Sequence, residues 1–319
     1  MTLRVGNLEV KRGEKKQGYL NIINTELSIP CTVINGVDKG KTVSITGGIH
    51  GGEYPGIETA IRLAYSLTSQ QISGKIIILH PSNLPAFLAK LQEVGPYDGK
   101  NLGVEFPGKA TGTITQKIAH TITTEVFAQS DFYMDLRGGD IHEALEPYVI
   151  FSEIGTDEVN RVSKEAASLM GVKYICGSTS KNSSIGSAAL KRVPGLLGEI
   201  GQIGLWTEEE VYHYMTGVKN VLKYLKVIDG KSEKLCEVKS VNKMYVFKAR
   251  QTGCWYSYVI PGQKVNKNEK IGEIKDYFGK SLGEYFSPIN GVIFCTVSSL
   301  AINVGDTIIA IGKETDLLG

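Results

Sequence analysis

The 319-residue chain is predicted to be an α/β protein, with a mostly parallel but mixed sheet flanked by helices and a small C-terminal all-β domain. Through about residue 230, strand-like apolar segments alternate with amphipathic helical segments, which is typical of a helix-covered sheet. Beyond that point the helical periodicity stops, and short strand-like segments separated by glycine turns follow. With 42% hydrophobic residues and this length, more than one core is expected. We therefore predict an α/β domain over residues 1–230 and a β-domain over residues 235–319.

The first half of the α/β domain can be assigned in order. Residues 1–40 alternate in polarity between turns, which predicts short antiparallel strands. A buried strand, "KTVSITGGI", leads into a glycine loop, and Pro55 suits the first turn of the next helix. The apolar face of that helix consists of Ile57, Ala60, Ile61, Ala64 and Leu67. The strand "GKIIILHPSN" follows, and then a helix that begins near Thr113.

The second half continues the alternation. The segments "DFYMDLR", "PYVIFS" and "PGLLGEIG" are predicted strands, and "SSIGSAALKRV" is a short helix. Thr156 is placed to cap the helix "DEVNRVSKEAASLM". The last helix opens with a capping box formed by Thr207 and Glu210. In the tail, "PGQKV" and "KIGEI" are weakly echoed by "VGDTI" and "IAIG", which predicts a closed β-sandwich or barrel.

Composition excludes several classes of function. A net charge of +2 with 21% charged residues does not suggest a nucleic-acid partner. No apolar run approaches the roughly 18 residues of a membrane span, and the N-terminus lacks the apolar core of a signal peptide. The five cysteines form no C-x-x-C pair, which argues against a disulfide framework or a thiolate zinc site. We expect a cytoplasmic protein with reduced thiols and a small-molecule partner, and homo-oligomer formation is left open.

Four candidate site residues stand at or just after predicted strand ends, where ligands bind in such sheets. They are His50, Glu53, Arg137 and Glu199. The spacing of His50 and Glu53 on a strand-to-helix loop lets an imidazole and a carboxylate hold one zinc ion. The alternative is a helix-capping Glu53 beside a hydrogen-bonded loop histidine.

Glu199 ends a very apolar strand, so its carboxylate must face a cavity or a partner. A desolvated glutamate suits a general base, and a structural ion pair is the equal alternative. Charged residues also crowd one loop, where an internal salt-bridge network is the alternative to a functional role. They are Asp135, Arg137, Asp140, His142 and Glu143.

The motifs "GGIHGGEYPGIE", "PSNLPAF", "DGKNL…FPG", "DLRGGDIHEAL" and "GEIG" occur in the order and spacing of a known family. On these motifs the chain resembles the succinylglutamate desuccinylase/aspartoacylase family of the zinc carboxypeptidase clan, and the tail is similar to the family's C-terminal β-domain. The resemblance implies a zinc-carboxypeptidase-like fold and zinc-dependent hydrolysis of N-acyl amino acids. It implies His50 and Glu53 as metal ligands and Glu199 as the catalytic residue.

This sequence departs from the family pattern where the chemistry is concentrated. Arg137 stands where the third zinc ligand, a histidine, is expected. Gly103 and Val104 replace an asparagine and a carboxylate-binding arginine, and Gln92 stands near another expected arginine. A guanidinium has no free lone pair and cannot ligate zinc.

Several interpretations follow from these departures. Arg137 occupies the metal's place and pairs with Glu53, or it binds a substrate carboxylate. His142 or His80 then completes a shifted metal site. Arg137, Asn101 and Asp140 are the predicted substrate-binding residues. The first functional hypothesis is a metal-dependent amide hydrolase with an altered site. The alternative is a non-catalytic relative that binds an anionic small molecule or a protein partner through the same cleft.

Overall fold

The computed structural model describes residues 2–315 and has the predicted α/β architecture with an additional β-sheet in the tail. The helices are α1 Tyr54–Ser66, α2 Leu84–Ala89, α3 Ile114–Glu125, α4 Asp157–Ala167, α5 Ser184–Leu190 and α6 Glu208–Tyr224. The strands before α6 are β1 Leu3–Val5, β2 Leu8–Val10, β3 Glu14–Asn21, β4 Ser28–Asn35, β5 Asp38–Gly47, β6 Ser73–Leu79, β7 Phe132–Arg137, β8 Glu143–Leu145, β9 Tyr148–Ser152, β10 Tyr174–Ser178 and β11 Gly195–Glu199. The strands after α6 are β12 Lys239–Lys248, β13 Gly253–Ser257, β14 Lys264–Val265, β15 Lys270–Lys275, β16 Ser281–Phe286, β17 Gly291–Val297, β18 Ala301–Ile302 and β19 Thr307–Thr315.

A mixed sheet forms the centre of the molecule. Within residues 2–315 it has 13 strands, in the order β14-β17-β19-β12-β10-β9-β11-β7-β5-β6-β4-β3, with β8 paired to β17. The strands β11, β7, β5 and β6 are adjacent and parallel, whereas β9 runs antiparallel to β11. The predicted mixed sheet is confirmed, but within the described residues its seven antiparallel strand pairs outnumber its five parallel ones. The prediction of a mostly parallel sheet therefore holds for the central strands and is wrong for the sheet as a whole, because the N-terminal and C-terminal strands extend it with antiparallel pairs.

Helices cover both faces of the central strands, because side chains of successive strand residues point to opposite faces. On one face, Met134 and Leu136 of β7 pack with α1 and α6. On the other face, Tyr133 of the same strand packs with α3 and α5. Asp135 lies between Met134 and Leu136 in sequence, so its side chain points to the opposite face of the strand, toward α5.

Local capping signals in the sequence have the predicted structures. The Thr156 hydroxyl accepts the Val159 N–H at the start of α4. At the start of α6, the Thr207 hydroxyl accepts the Glu210 N–H, and the Glu210 carboxylate accepts the Thr207 N–H. No helix in the described part of the chain is long and apolar enough to cross a membrane.

The tail forms a second core and also extends the main sheet. A four-stranded sheet, β16-β15-β13-β18, shares a separate cluster of buried residues with the tail strands of the main sheet; this cluster includes Trp255 of β13, Ile274 of β15 and Ile309 of β19. In addition, β12 pairs in parallel with β10, and β17 pairs with β8. The domain boundary between residues 230 and 235 stays a prediction. The residues after it have a buried cluster of their own, but they also add strands to the main sheet.

Candidate active site

Three adjacent parallel strands bring the predicted site residues to one edge of the sheet. The carboxyl ends of β5, β7 and β11 meet there because these strands are neighbours with the same direction. Glu199, the last residue of β11, is in register with Arg137, the last residue of β7. His50 and Glu53 lie in the loop that connects β5 to α1. The fold thus gathers all four strand-end residues.

His50 contacts a carboxylate on one side and an amide on the other. Its Nδ1 is 2.6 Å from Oε1 of Glu53, and both side chains are buried. Its Nε2 is 2.8 Å from Oδ1 of Asn101. That oxygen also accepts the backbone N–H of Gly103 at 2.7 Å, which fixes the orientation of the amide. Since both neighbours of the ring are acceptors, both ring nitrogens of His50 are donors.

This geometry agrees with the electrostatics of the pair. Burial disfavours a charge on His50, but the carboxylate of Glu53 and its hydrogen bond prevail, so the pKa of His50 is raised. The second carboxylate oxygen of Glu53, Oε2, is buried and has no hydrogen-bond partner among the described residues. One acceptor therefore remains available beside the pair.

Arg137 is buried, and its ion pair is made within its own strand. Its Nε donates to Oδ2 of Asp135 at 2.9 Å, and Asp135 is fully buried. The same carboxylate accepts the hydroxyls of Ser184 at 2.5 Å and Thr46 at 3.1 Å. The ion pair with Glu53 considered from the sequence is thus replaced by one with Asp135, which lies two residues earlier on the same face of β7. Nη2 of Arg137 is buried and has no partner in the described part of the structure.

Helix α6 holds the backbone of Arg137. The hydroxyl of Tyr214 donates to the Arg137 carbonyl at 2.6 Å and accepts the Arg137 N–H at 3.1 Å. A side chain at Gly198 would collide with this tyrosine, since an added Cβ would lie 2.7 Å from the hydroxyl oxygen. The role of Tyr214 was not predicted from the sequence. The available signal was its position three residues after Val211 and four before Val218, on the apolar face of α6.

The carboxyl group of Glu199 is strongly perturbed. Burial raises its pKa well above the usual range, and the nearby charge of Glu53 adds to this effect. The guanidinium of Arg137 opposes the shift without cancelling it. Glu199 therefore holds its proton at a pH where an exposed glutamate is ionised.

The remaining predicted residues differ in their placement. Asp140 is buried against Gly52, and a Cβ at Gly52 would lie only 2.2 Å from Oδ1 of Asp140. Burial, with a contribution from Glu53, raises the pKa of Asp140 to about 7. Its Oδ2 lacks a partner in the described residues. His142, by contrast, is exposed, and His80 bonds the Thr32 hydroxyl at 2.8 Å.

A three-ligand zinc site does not fit this arrangement. His50 and Glu53 remain the predicted ligands, but residues 2–315 contain no group of three His, Cys, Asp or Glu side chains placed to hold a metal ion. The third strand end carries Arg137, whose charge is permanent. The groups available to bind a metal are therefore one imidazole and one carboxylate, and a permanent cation lies beside them.

A sequence model described as the succinylglutamate desuccinylase/aspartoacylase catalytic domain matches residues 39–225. A curated relative, the N-alpha-acetyl-L-2,4-diaminobutyric acid deacetylase of Halomonas elongata, is 28% identical over 301 residues, which cover 91% of this chain and 87% of the relative.

Solved structures show the same fold. A succinylglutamate desuccinylase/aspartoacylase from Rhodobacter sphaeroides superposes with a TM-score of 0.87 at 23% identity, covering 98% of this chain and 100% of the other. The product-bound ectoine utilization protein EutE (DoeB) from Ruegeria pomeroyi gives a TM-score of 0.88 at 21% identity, covering 96% and 97%. The likeness extends through the C-terminal β-strands.

Proposed function

Because the chain belongs to the succinylglutamate desuccinylase/aspartoacylase family, we propose that it hydrolyses the amide bond of N-acyl amino acids or related small carboxylates. The deacetylase relative supports amide hydrolysis as the class of reaction. The observation that carries the proposal is the half-buried carboxyl of Glu199, which lies at the strand edge in register with Arg137 and has a raised pKa.

Glu199 is the proposed proton-transfer residue. A glutamate whose pKa is raised toward the working pH is a stronger base, when ionised, than an exposed glutamate. In that form it takes a proton from the attacking water. In its protonated form it returns the proton to the leaving amine, so one residue serves both halves of the reaction.

Arg137 is the proposed oxygen-binding residue. Its unpaired Nη2–H can donate to the carbonyl oxygen of the amide, where negative charge develops during water attack. Asp140 offers the unpaired acceptor Oδ2 for an N–H of the substrate. Asn101 holds His50 in place through its hydrogen bond to Nε2.

The zinc ion that the family resemblance implies would be held by His50 and Glu53, and it would polarise the carbonyl group and activate water. The described residues provide only these two donors next to a fixed guanidinium. No step of the proposed reaction is therefore assigned to a metal.

A panel of N-acetyl and N-succinyl amino acids tests the proposal. We expect release of the free amino acid by the native protein and a decrease of about 100-fold or more in the Glu199→Gln variant, because the amide cannot accept the proton. The control is Glu209→Gln, which changes an exposed glutamate in the first turn of α6. Turnover that is equal in the native and Glu199→Gln proteins would exclude Glu199 from the reaction.

The second candidate function is non-catalytic binding of a small carboxylate or protein partner through the same cleft. It is favoured by Arg137, because a buried cation with an unpaired N–H binds an anionic oxygen without any reaction. Calorimetry distinguishes the two functions. Binding of an N-acyl amino acid that is recovered intact, weakened in Arg137→Lys, supports this role, and hydrolysis in the panel rejects it.

A further inference from the structure

The position of Arg137 connects two departures from the family pattern that are 34 residues apart in sequence. We propose that the guanidinium of Arg137 is a permanent cation that takes the place of the metal ion, and that Gly103 is glycine in order to make room for it. The inference rests on the proposed function only where it concerns the reaction. The placement of the cation and the exclusion of zinc stand on the geometry alone.

The surroundings of Gly103 carry the first step. A Cβ at this position would lie 2.8 Å from Nη1 of Arg137, 2.9 Å from Oδ1 of Asn101 and 2.9 Å from Nε2 of His50. Each distance is shorter than a normal contact to a Cβ atom. Gly103 does not have a positive φ angle, so backbone conformation does not explain the glycine. Space for the three polar groups does explain it.

The hydrogen bonds of the predicted ligands carry the second step. His50 uses both ring nitrogens, one toward Glu53 and one toward Asn101. Asp135, at the sheet edge, already accepts Nε of Arg137. A zinc ion would have to displace the contacts of His50 and would then lie beside a guanidinium that cannot lose its charge. The guanidinium thus supplies a positive charge at this position without a metal ion.

The unsatisfied atoms carry the third step. Nη2 of Arg137 is a buried donor without a partner, and Oε2 of Glu53 is a buried acceptor without one, within the described residues. Buried polar atoms of this kind are costly unless a ligand satisfies them. A carbonyl or carboxylate oxygen of a ligand would accept a hydrogen bond from Nη2. The guanidinium would then bind the ligand oxygen, as a metal ion does in metal-dependent hydrolases.

Zinc calorimetry on chelator-stripped native protein is the direct test. We expect no saturable binding of zinc by the native protein at micromolar concentrations. We expect the double variant Arg137→His/Gly103→Asn to bind one zinc at least about 100-fold more tightly, since it gains a neutral imidazole at the strand end. Tight binding of one zinc per native chain would overturn the proposal. So would hydrolysis that is lost on chelation and restored by zinc.

Thermal unfolding provides an independent measure of the coupling between Gly103 and Arg137. It compares four proteins, which are the native protein, Gly103→Asn, Arg137→His and the double variant. Gly103→Asn should lower the melting temperature more in the native background than in the Arg137→His background, because the guanidinium is one of the three groups that the new Cβ would meet and only this one is removed. Equal effects in both backgrounds would reject the coupling. Neither measurement needs turnover, so an absence of hydrolysis in the substrate panel would reject the proposed function while the cation site is still judged by zinc binding and melting.

Discussion

Among single residues, Asp135 determines whether the buried charge of Arg137 is tolerated. It is fully buried and accepts the guanidinium and two hydroxyl groups. Asp135→Asn should therefore lower the free energy of unfolding by about 3–5 kcal/mol, because it leaves a buried charge without its partner. Urea unfolding measures this difference.

The matched control for Asp135 is a surface ion pair. Glu158 and Arg161 of α4 are 2.8 Å apart and both largely exposed. Glu158→Gln should change the free energy of unfolding by less than about 1 kcal/mol. Similar losses in the two variants would show that the Asp135–Arg137 pair does not carry a buried charge.

Glu199 should make stability depend on pH. Its folded-state pKa is raised mainly by burial and by the charge of Glu53. The folded state thus holds this proton more tightly than the unfolded state, and stability falls as pH rises from the unfolded pKa of about 4.3 to the folded one. Glu199→Gln lacks this loss, so its melting temperature relative to the native protein should increase with pH from 5 to 8. A difference that is constant over this range would contradict the raised pKa.

The residues of the site were predictable to different degrees. His50, Glu53, Arg137 and Glu199 follow or end apolar segments that the alternation with helices assigns to strands, so their convergence at one edge of the sheet was predicted. The ion-pair partner of Arg137 was harder to predict, because several carboxylates lie near Arg137 in sequence and Glu53 lies in a neighbouring strand-end loop. Asp135 is the partner because it lies two residues before Arg137 on β7 and therefore points to the same side of the strand.

At the scale of elements, α6 positions the end of β7. Tyr214 bonds both backbone groups of Arg137 and packs against Gly198 of β11. Tyr214→Phe should lower the free energy of unfolding by about 1–3 kcal/mol, since it leaves a buried backbone N–H and carbonyl without this partner. It should also weaken binding or turnover of N-acyl amino acids by releasing the strand end.

Tyr212→Phe is the control for this contact, because Tyr212 lies on the same helix and is 74% exposed. Removal of the Tyr212 hydroxyl should leave the free energy of unfolding and ligand binding unchanged. If Tyr214→Phe behaved like this control, the hydroxyl contacts to Arg137 would not hold the strand end.

The elements that sequence patterns missed are the short ones. Helix α2 has six residues and β8 has three, which is too few for a periodic apolar pattern to be distinguished from a loop, and β10 has the sequence YICGS, which does not form an apolar run. Strand β8 forms only because β17, more than 140 residues later, provides its partner. Such pairing is a property of the tertiary structure, whereas the caps of α4 and α6 are local and were predicted.

For the whole molecule, the relation between the two regions depends on which residues each core uses. The two clusters around the central sheet draw almost wholly on residues before β12, and the tail has its own cluster. A fourth cluster joins the regions, with Leu145 and Tyr174 packed against Phe294 and Cys295. Each region therefore has buried clusters of its own, and the two share this fourth cluster and the pairings of β10 with β12 and of β8 with β17.

This division predicts the behaviour of a chain cut after residue 231. Its central cores remain nearly complete, so it should unfold in one cooperative transition and keep its helical circular dichroism. It also loses Phe294 from the ring of Tyr174 and leaves the edges of β8 and β10 unpaired. The melting temperature should consequently lie below that of the full chain, which is measured in the same buffer by calorimetry and circular dichroism. A truncated chain without any cooperative transition would mean that the two regions form a single core, and one with an unchanged melting temperature would mean that the shared cluster contributes nothing to stability.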